Sequence, residues 1–138
     1  MPGTIEIYDW DEEGYKPLVF SQSWQVALLN WEPLFDRSNL TEIERHNHTD
    51  EVFVLLRGRA VLVTKSDDGP LQAVEMAPGK VYNVPCGAWH NLVATRDASF
   101  LIVENRDTHL YDTELRPIRA EELKALDAQL PAWASRST

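Results

Sequence analysis

The chain has little of what holds or anchors many small proteins by other means. It has one cysteine, Cys86, in 138 residues. No intramolecular disulfide can form, and a lone thiol suits a reducing compartment, so the expected location is the cytoplasm. Cys86 sits between proline and glycine with no basic neighbour to activate it, which marks it as a small inert residue. No apolar run approaches the roughly 20 residues a membrane helix requires. The opening stretch MPGTIEIYDWDEEGY has neither the basic nor the apolar segment of a secretory leader, and none is expected. Positive charge is scarce too: 13 Lys and Arg face 22 Asp and Glu, for a net charge of −9. Without a basic footprint, neither nucleic acid nor a membrane surface is an expected partner. A small-molecule ligand stays open, because a pocket can be locally basic.

Helical periodicity is also rare. From about Trp24 to Asn105 the pattern is short apolar runs and period-two alternation, punctuated by glycine, proline and aspartate. Strands are predicted at WQVALLNW (Trp24 to Trp31), EVFVLLRG, RAVLVTK, LQAVEM, KVYNV, HNLVAT and SFLIVEN. EVFVLLRG is apolar on both alternating faces, as a strand covered by two layers should be. Seven or eight such strands at turn spacing predict an all-β sandwich or barrel in one domain spanning residues 1–138. Only RAEELKALDAQL (119–130) carries leucines at helical spacing, with Glu121 and Glu122 in its first turn. Residues 1–15 and 131–138 are expected to lie loose or across a neighbouring copy.

The chemistry concentrates in IERHNHTDEVFVLLRG, Ile43 to Gly58. Imidazoles and carboxylates on a strand scaffold form a first-row metal site when they converge on one face. On an extended strand Glu44, His46 and His48 share a side. Glu51 lies an odd five residues beyond His46, so a turn or bulge near Thr49-Asp50 must intervene for both to face inward. Downstream, GKVYNVPCGAWH delivers His90 after a Pro-x-Gly turn, where antiparallel pairing could set it beside His46. His109, in NRDTHL, has no partner pattern and is expected to be exposed. Trp31, Phe35 and Tyr82 are candidate pocket residues, since sandwich mouths are lined by such side chains.

These residues resemble the cupin family, whose first motif is usually written G-x5-H-x-H-x(3,4)-E-x6-G and whose second is G-x5-P-x-G-x2-H-x3-N. Gly79, Pro85, Gly87 and His90 match the second, with Ala94 where the closing asparagine would stand. Glu51 and Gly58 match the end of the first. The resemblance implies a cupin-type double-stranded β-helix, or jelly-roll barrel, over about residues 24–105, with a short C-terminal helix. It implies metal ligands His46, Glu51 and His90, with Glu44 as a carboxylate in the fourth position. A rival register takes His46 and His48 as the histidine pair, leaving two residues before Glu51, fewer than the family normally has. Two imidazoles and two carboxylates suit Mn²⁺ or Fe²⁺, with Zn²⁺ and Ni²⁺ also open. Glu44 is alternatively a catalytic general base.

Two functions follow as expectations. One is a metal-dependent enzyme, of oxygenase or isomerase/lyase type, acting on a small polar organic molecule. The other is a module that binds or senses a small ligand without turnover. Because such barrels pair by edge strands or exchange N-terminal segments, a homodimer is expected.

Overall fold

A computed structural model of the chain describes residues 3–135. Ten strands build two five-stranded antiparallel sheets. The first sheet runs, in spatial order, β1 (Gly14–Phe20), β2 (Trp24–Asn30), β9 (Ser99–Asn105), β4 (Glu51–Arg57) and β7 (Val81–Val84). The second runs β10 (Glu114–Pro117), β3 (Glu42–Arg45), β8 (Trp89–Ala94), β5 (Ala60–Lys65) and β6 (Gln72–Glu75). The two sheets face each other as a jelly roll. Two of these strands, β1 and β10, extend the barrel beyond the expected 24–105, and β3 is a further strand within it that was not predicted. Their sequences hid them: GYKPLVF carries a mid-strand proline, and EIER and ELRP alternate polar with apolar over only four residues.

Alternation places the core. Ala27 and Leu29 from β2, Phe53 and Leu55 from β4, and Phe100 and Ile102 from β9 point inward. They pack against Ala60 and Leu62 of β5 and Leu92 and Ala94 of β8. The second sheet also buries its outer face, where Ile43, Val61, Val63, Trp89 and Val93 meet a C-terminal cover that includes Leu126 and Ala134. The strands covered on both sides are therefore β5 and β8. The expectation for EVFVLLRG is corrected, because its outer face is only half-buried at Val52 and Val54, and Leu56 is 47% exposed.

The cover is helix α2 (Ala120–Asp127), shorter than the 119–130 read from leucine spacing; a short helical turn, α1 (Thr108–Tyr111), precedes β10. Glu122 caps the start of α2 by accepting from the Arg119 backbone N–H at 3.0 Å. Asp127 at its end takes a two-pronged bond from the buried Arg37, at 2.6 and 2.8 Å. The tail is not loose where it is described. Residues 132–134 form a single 3₁₀ turn whose Ala134 is buried under the sheet, while 136–138 lie outside the described residues. At the other end, residues 4–11 belong to no strand of this chain and hold Ile5 and Ile7 84% and 90% exposed.

Gly58 turns β4 into β5 with φ +75°, and a Cβ there would stand 2.6 Å from the Ala98 backbone. Gly79 has a similar φ of +81° but open space around it. The two glycines separate backbone strain from steric overlap. Gly79→Ala is expected to cost about 1–2 kcal/mol, the left-handed penalty alone. Gly58→Ala should cost clearly more in the same urea-denaturation series, because the Ala98 backbone must also move.

Candidate metal centre

The first sheet contributes Glu51 from the start of β4. The second contributes Glu44 from β3 and His90 from β8, directly paired across the ladder. His46 follows just beyond the end of β3, where the chain leaves the sheet in a bend at Asn47-His48. That bend supplies the change of direction the odd spacing from His46 to Glu51 demanded. It is clamped by Asp112, whose carboxylate accepts from the Asn47 and His48 backbone N–H groups at 2.9 and 3.0 Å.

Three further bonds join the two motifs. The Gly87 N–H donates to the His46 carbonyl at 2.7 Å. Asp50 accepts from the Cys86 N–H at 2.8 Å and from Asn83 Nδ2 at 3.1 Å. The Pro-x-Gly turn that presents His90 is thus fastened to the segment that presents His46 and Glu51.

Both imidazoles are oriented from behind. His46 Nδ1 faces the Asp112 carbonyl at 2.7 Å, and His90 Nδ1 faces the Ala88 carbonyl at 3.1 Å. A carbonyl oxygen only accepts, so each Nδ1 carries a proton and each ring turns Nε2 inward. The two Nε2 atoms meet at one carboxylate oxygen: Glu51 Oε1 lies 2.8 Å from His46 and 2.9 Å from His90. Glu44 Oε1 is 3.6 Å from His90 Nε2. One ligand atom from each of Glu44, His46, Glu51 and His90 falls within a 4.8 Å group.

Burial disfavours charge on Glu51, but the hydrogen bonds from the two imidazoles outweigh it and hold the carboxyl down at about 2. Burial likewise works against an imidazolium at His46, yet the Glu51 hydrogen bond and charge push the ring up to about 9. His90 is raised by the same bond and charge against the same burial. Without a metal, Glu51 must hold two protonated rings side by side, centroids 5.2 Å apart. A divalent cation at this point would accept both Nε2 lone pairs and satisfy the carboxylate with no imidazolium pair. The donor set fits such an ion, with nitrogen and oxygen ligands and carbonyl bonds behind each ring.

His48 stands apart: it is exposed, outside the group, and engaged only through its backbone. Of the candidate pocket residues, Phe35 lines the cavity of about 480 Å³ that opens onto the centre. Trp31 and Tyr82 are not among the residues that line it. Trp31 is buried in the apolar core beneath Arg96, and the Tyr82 hydroxyl accepts from the Ala77 N–H at 2.8 Å. His109 is exposed as expected but not without a partner. Its Nδ1 lies 3.1 Å from Gln25 Nε2, and it lines the cavity.

The sequence reading missed Glu104. This β9 residue sits directly opposite Glu51, and its Oε2 reaches within 3.8 Å of His46 Nε2. The signal was present in SFLIVEN, where position 104 is in phase with the inward Phe100 and Ile102. Gln25, in phase with Ala27 and Leu29, was legible in the same way.

No family model matches the sequence, and no curated relative does. Among solved structures, a cupin-2 domain protein from Shewanella frigidimarina is 23% identical, with 70% of this chain and 85% of that chain covered and a TM-score of 0.51. KdgF from a Halomonas species is 14% identical, with 75% and 94% covered and a TM-score of 0.53. The capsular polysaccharide assembling protein CapF from Staphylococcus aureus is 15% identical, with 85% and 33% covered and a TM-score of 0.57. Two facing antiparallel sheets, the glycine–proline frameworks that present His46, Glu51 and His90, and these neighbours give the chain the fold of the cupin superfamily.

Proposed function

We propose that the chain is a metal-dependent cupin enzyme that holds one divalent ion through His46, Glu51, His90 and Glu44 and acts on a small polar organic molecule. The observation that carries the reading is the convergence of these four donors at a cavity of about 480 Å³, a size suited to a small ligand. A bound ion would supply Lewis-acid polarisation of a ligand oxygen. Glu44 differs from the other three in exposure, at 39% for its side chain against 7% or less. Burial raises its carboxyl above the ordinary range. It therefore suits two tasks, closing the coordination shell or taking a proton from a molecule in the cavity. Mn²⁺ or Fe²⁺ best matches two imidazoles with two carboxylates.

Elemental analysis of untagged protein tests this. Near-stoichiometric divalent metal is expected in the parent chain and in His48→Ala. His46→Ala and His90→Ala should each weaken metal binding more than about a hundredfold, the loss expected when a direct ligand goes. Loss of metal from His48→Ala, with retention in His90→Ala, overturns the assignment.

We also propose a homodimer assembled through the N-terminal arm. Supporting it are the exposed Ile5 and Ile7 on a segment with no strand partner in its own chain. Exposed apolar side chains on the edge strands β7 and β10, Val81 and Leu115, add to it. Sedimentation equilibrium should give a dimer for the parent chain and a monomer for the double variant Ile5→Asp, Ile7→Asp. A monomeric parent chain overturns the proposal.

A further inference from the structure

The first sheet carries two buried carboxylates in one cross-strand row, in the order Gln25, Glu104, Glu51. Like charges directly opposite each other destabilise a sheet, so each needs a partner of its own. Glu51 has the two imidazoles or the metal. Glu104 has a partner for only one of its oxygens.

The direction of every hydrogen bond around Glu104 can be followed. The Asp107 N–H donates to Gln25 Oε1 at 3.0 Å, which orients that amide. Gln25 Nε2 therefore donates, to the Tyr15 hydroxyl oxygen at 2.9 Å and to His109 Nδ1 at 3.1 Å, with a longer reach to Glu104 Oε1 at 3.5 Å. The Tyr15 O–H is left to donate to Glu104 Oε1 at 2.6 Å. The chain of donors ends on Glu104 as an acceptor. Its Oε2 is buried, on a side chain only 2% exposed, with no hydrogen-bond partner among the described residues. His46 Nε2, at 3.8 Å, is too far to donate and is already directed at Glu51.

The charged side chains of the cavity are acidic: Glu32, Glu42, Glu44, Glu51 and Glu104 line it, and among the described residues no lysine or arginine does. A divalent ion would answer Glu44 and Glu51, and no lysine or arginine of the lining faces Glu32, Glu42 or Glu104. The locally basic pocket that an acidic ligand would need is therefore absent.

Resting on the metal-site reading above, we propose that the cavity selects a molecule bearing an O–H or N–H donor and no negative charge, an alcohol or an amine. Glu104 Oε2 is its specificity-determining contact. The ligand reaches the metal with one group and donates to Glu104 with another. Carboxylates and phosphates are disfavoured because they bring negative charge to an acidic cavity, even where the same molecule also carries a hydroxyl donor.

The test uses the full-length chain loaded with Co²⁺, whose visible absorption reports its ligands. Three two-carbon probes share a hydroxyl and differ in charge: 2-aminoethanol, ethane-1,2-diol and glycolate. Each affinity is expressed relative to that for aqueous cobalt. Glycolate should bind about tenfold more weakly than the better of the other two, as expected for one poorly screened charge several ångströms away. Whichever of amine and diol binds tighter identifies the donor. Glu104→Gln should reduce the discrimination to within about twofold, while His48→Ala, at an exposed position outside the cavity lining, should keep it. The first comparison needs only the parent chain, so it stands even if Glu104→Gln does not fold. Cobalt bands with glycolate bound as well as the others, or with no probe preferred, overturn this inference alone. Absence of cobalt bands overturns the metal reading and this inference with it.

Discussion

Everything at the centre of this protein is arranged around one buried carboxylate. Glu51 is almost sealed from water between two sheets, where an isolated charge would be untenable. It is tolerable only because two imidazoles, both delivered by the opposing side of the sandwich, meet on a single oxygen. The contact is therefore also a constraint on how the sheets sit. If either sheet slipped by one residue, Glu51 or His90 would turn to its opposite face, and the charge would be stranded. Replacing the imidazole protons by a divalent cation keeps the same convergence and removes the cost of two adjacent imidazoliums.

The surrounding bonds are economical in the same sense. Asp112 accepts three hydrogen bonds, two at its carboxylate that hold the Asn47-His48 bend and one at its carbonyl that holds the His46 ring. Asp50 and Gly87 tie the turn before His90 to the segment around His46. These contacts run between loops at one end of the barrel, while the apolar core fills the rest. The site is thus a polar end-cap on a hydrophobic sandwich, rigid because its loops are bonded to each other and not only to their own strands.

Most of the barrel was legible from alternation and punctuation, because β2, β4, β5, β8 and β9 each carry long apolar phases. The three strands that escaped notice are short, polar or interrupted by proline, and they exist because neighbours complete their ladders. EVFVLLRG misled in a different way. Its composition looks doubly covered, but whether an apolar outer face meets a helix depends on where α2 lands, and α2 packs on the other sheet. At the site, the resemblance to the cupin motifs, anchored by the spacing from Glu51 to Gly58 and from Gly79 to His90, implied the four residues that the fold brings together, with His48 as the rival in another register. The pairing of Asp112 with His46 joins positions 66 residues apart, and no local pattern announces it.

Glu104 marks the boundary between what supports the fold and what serves the cavity. A barrel built only for stability would place an apolar side chain there, continuing Phe100 and Ile102, and would avoid a second carboxylate opposite Glu51. Instead the chain commits Tyr15 and Gln25 to one oxygen of this residue and leaves the other without a partner. Departures of this kind, in which a local rule of packing is broken and then partly compensated, are expected where a protein must meet another molecule. The net charge of the whole chain points the same way. The acidic excess of the sequence continues into the cavity wall, where among the described residues no lysine or arginine interrupts it. Composition thus says more about this protein than solubility, because the same imbalance that shapes its surface sets the sign of what its interior can accept.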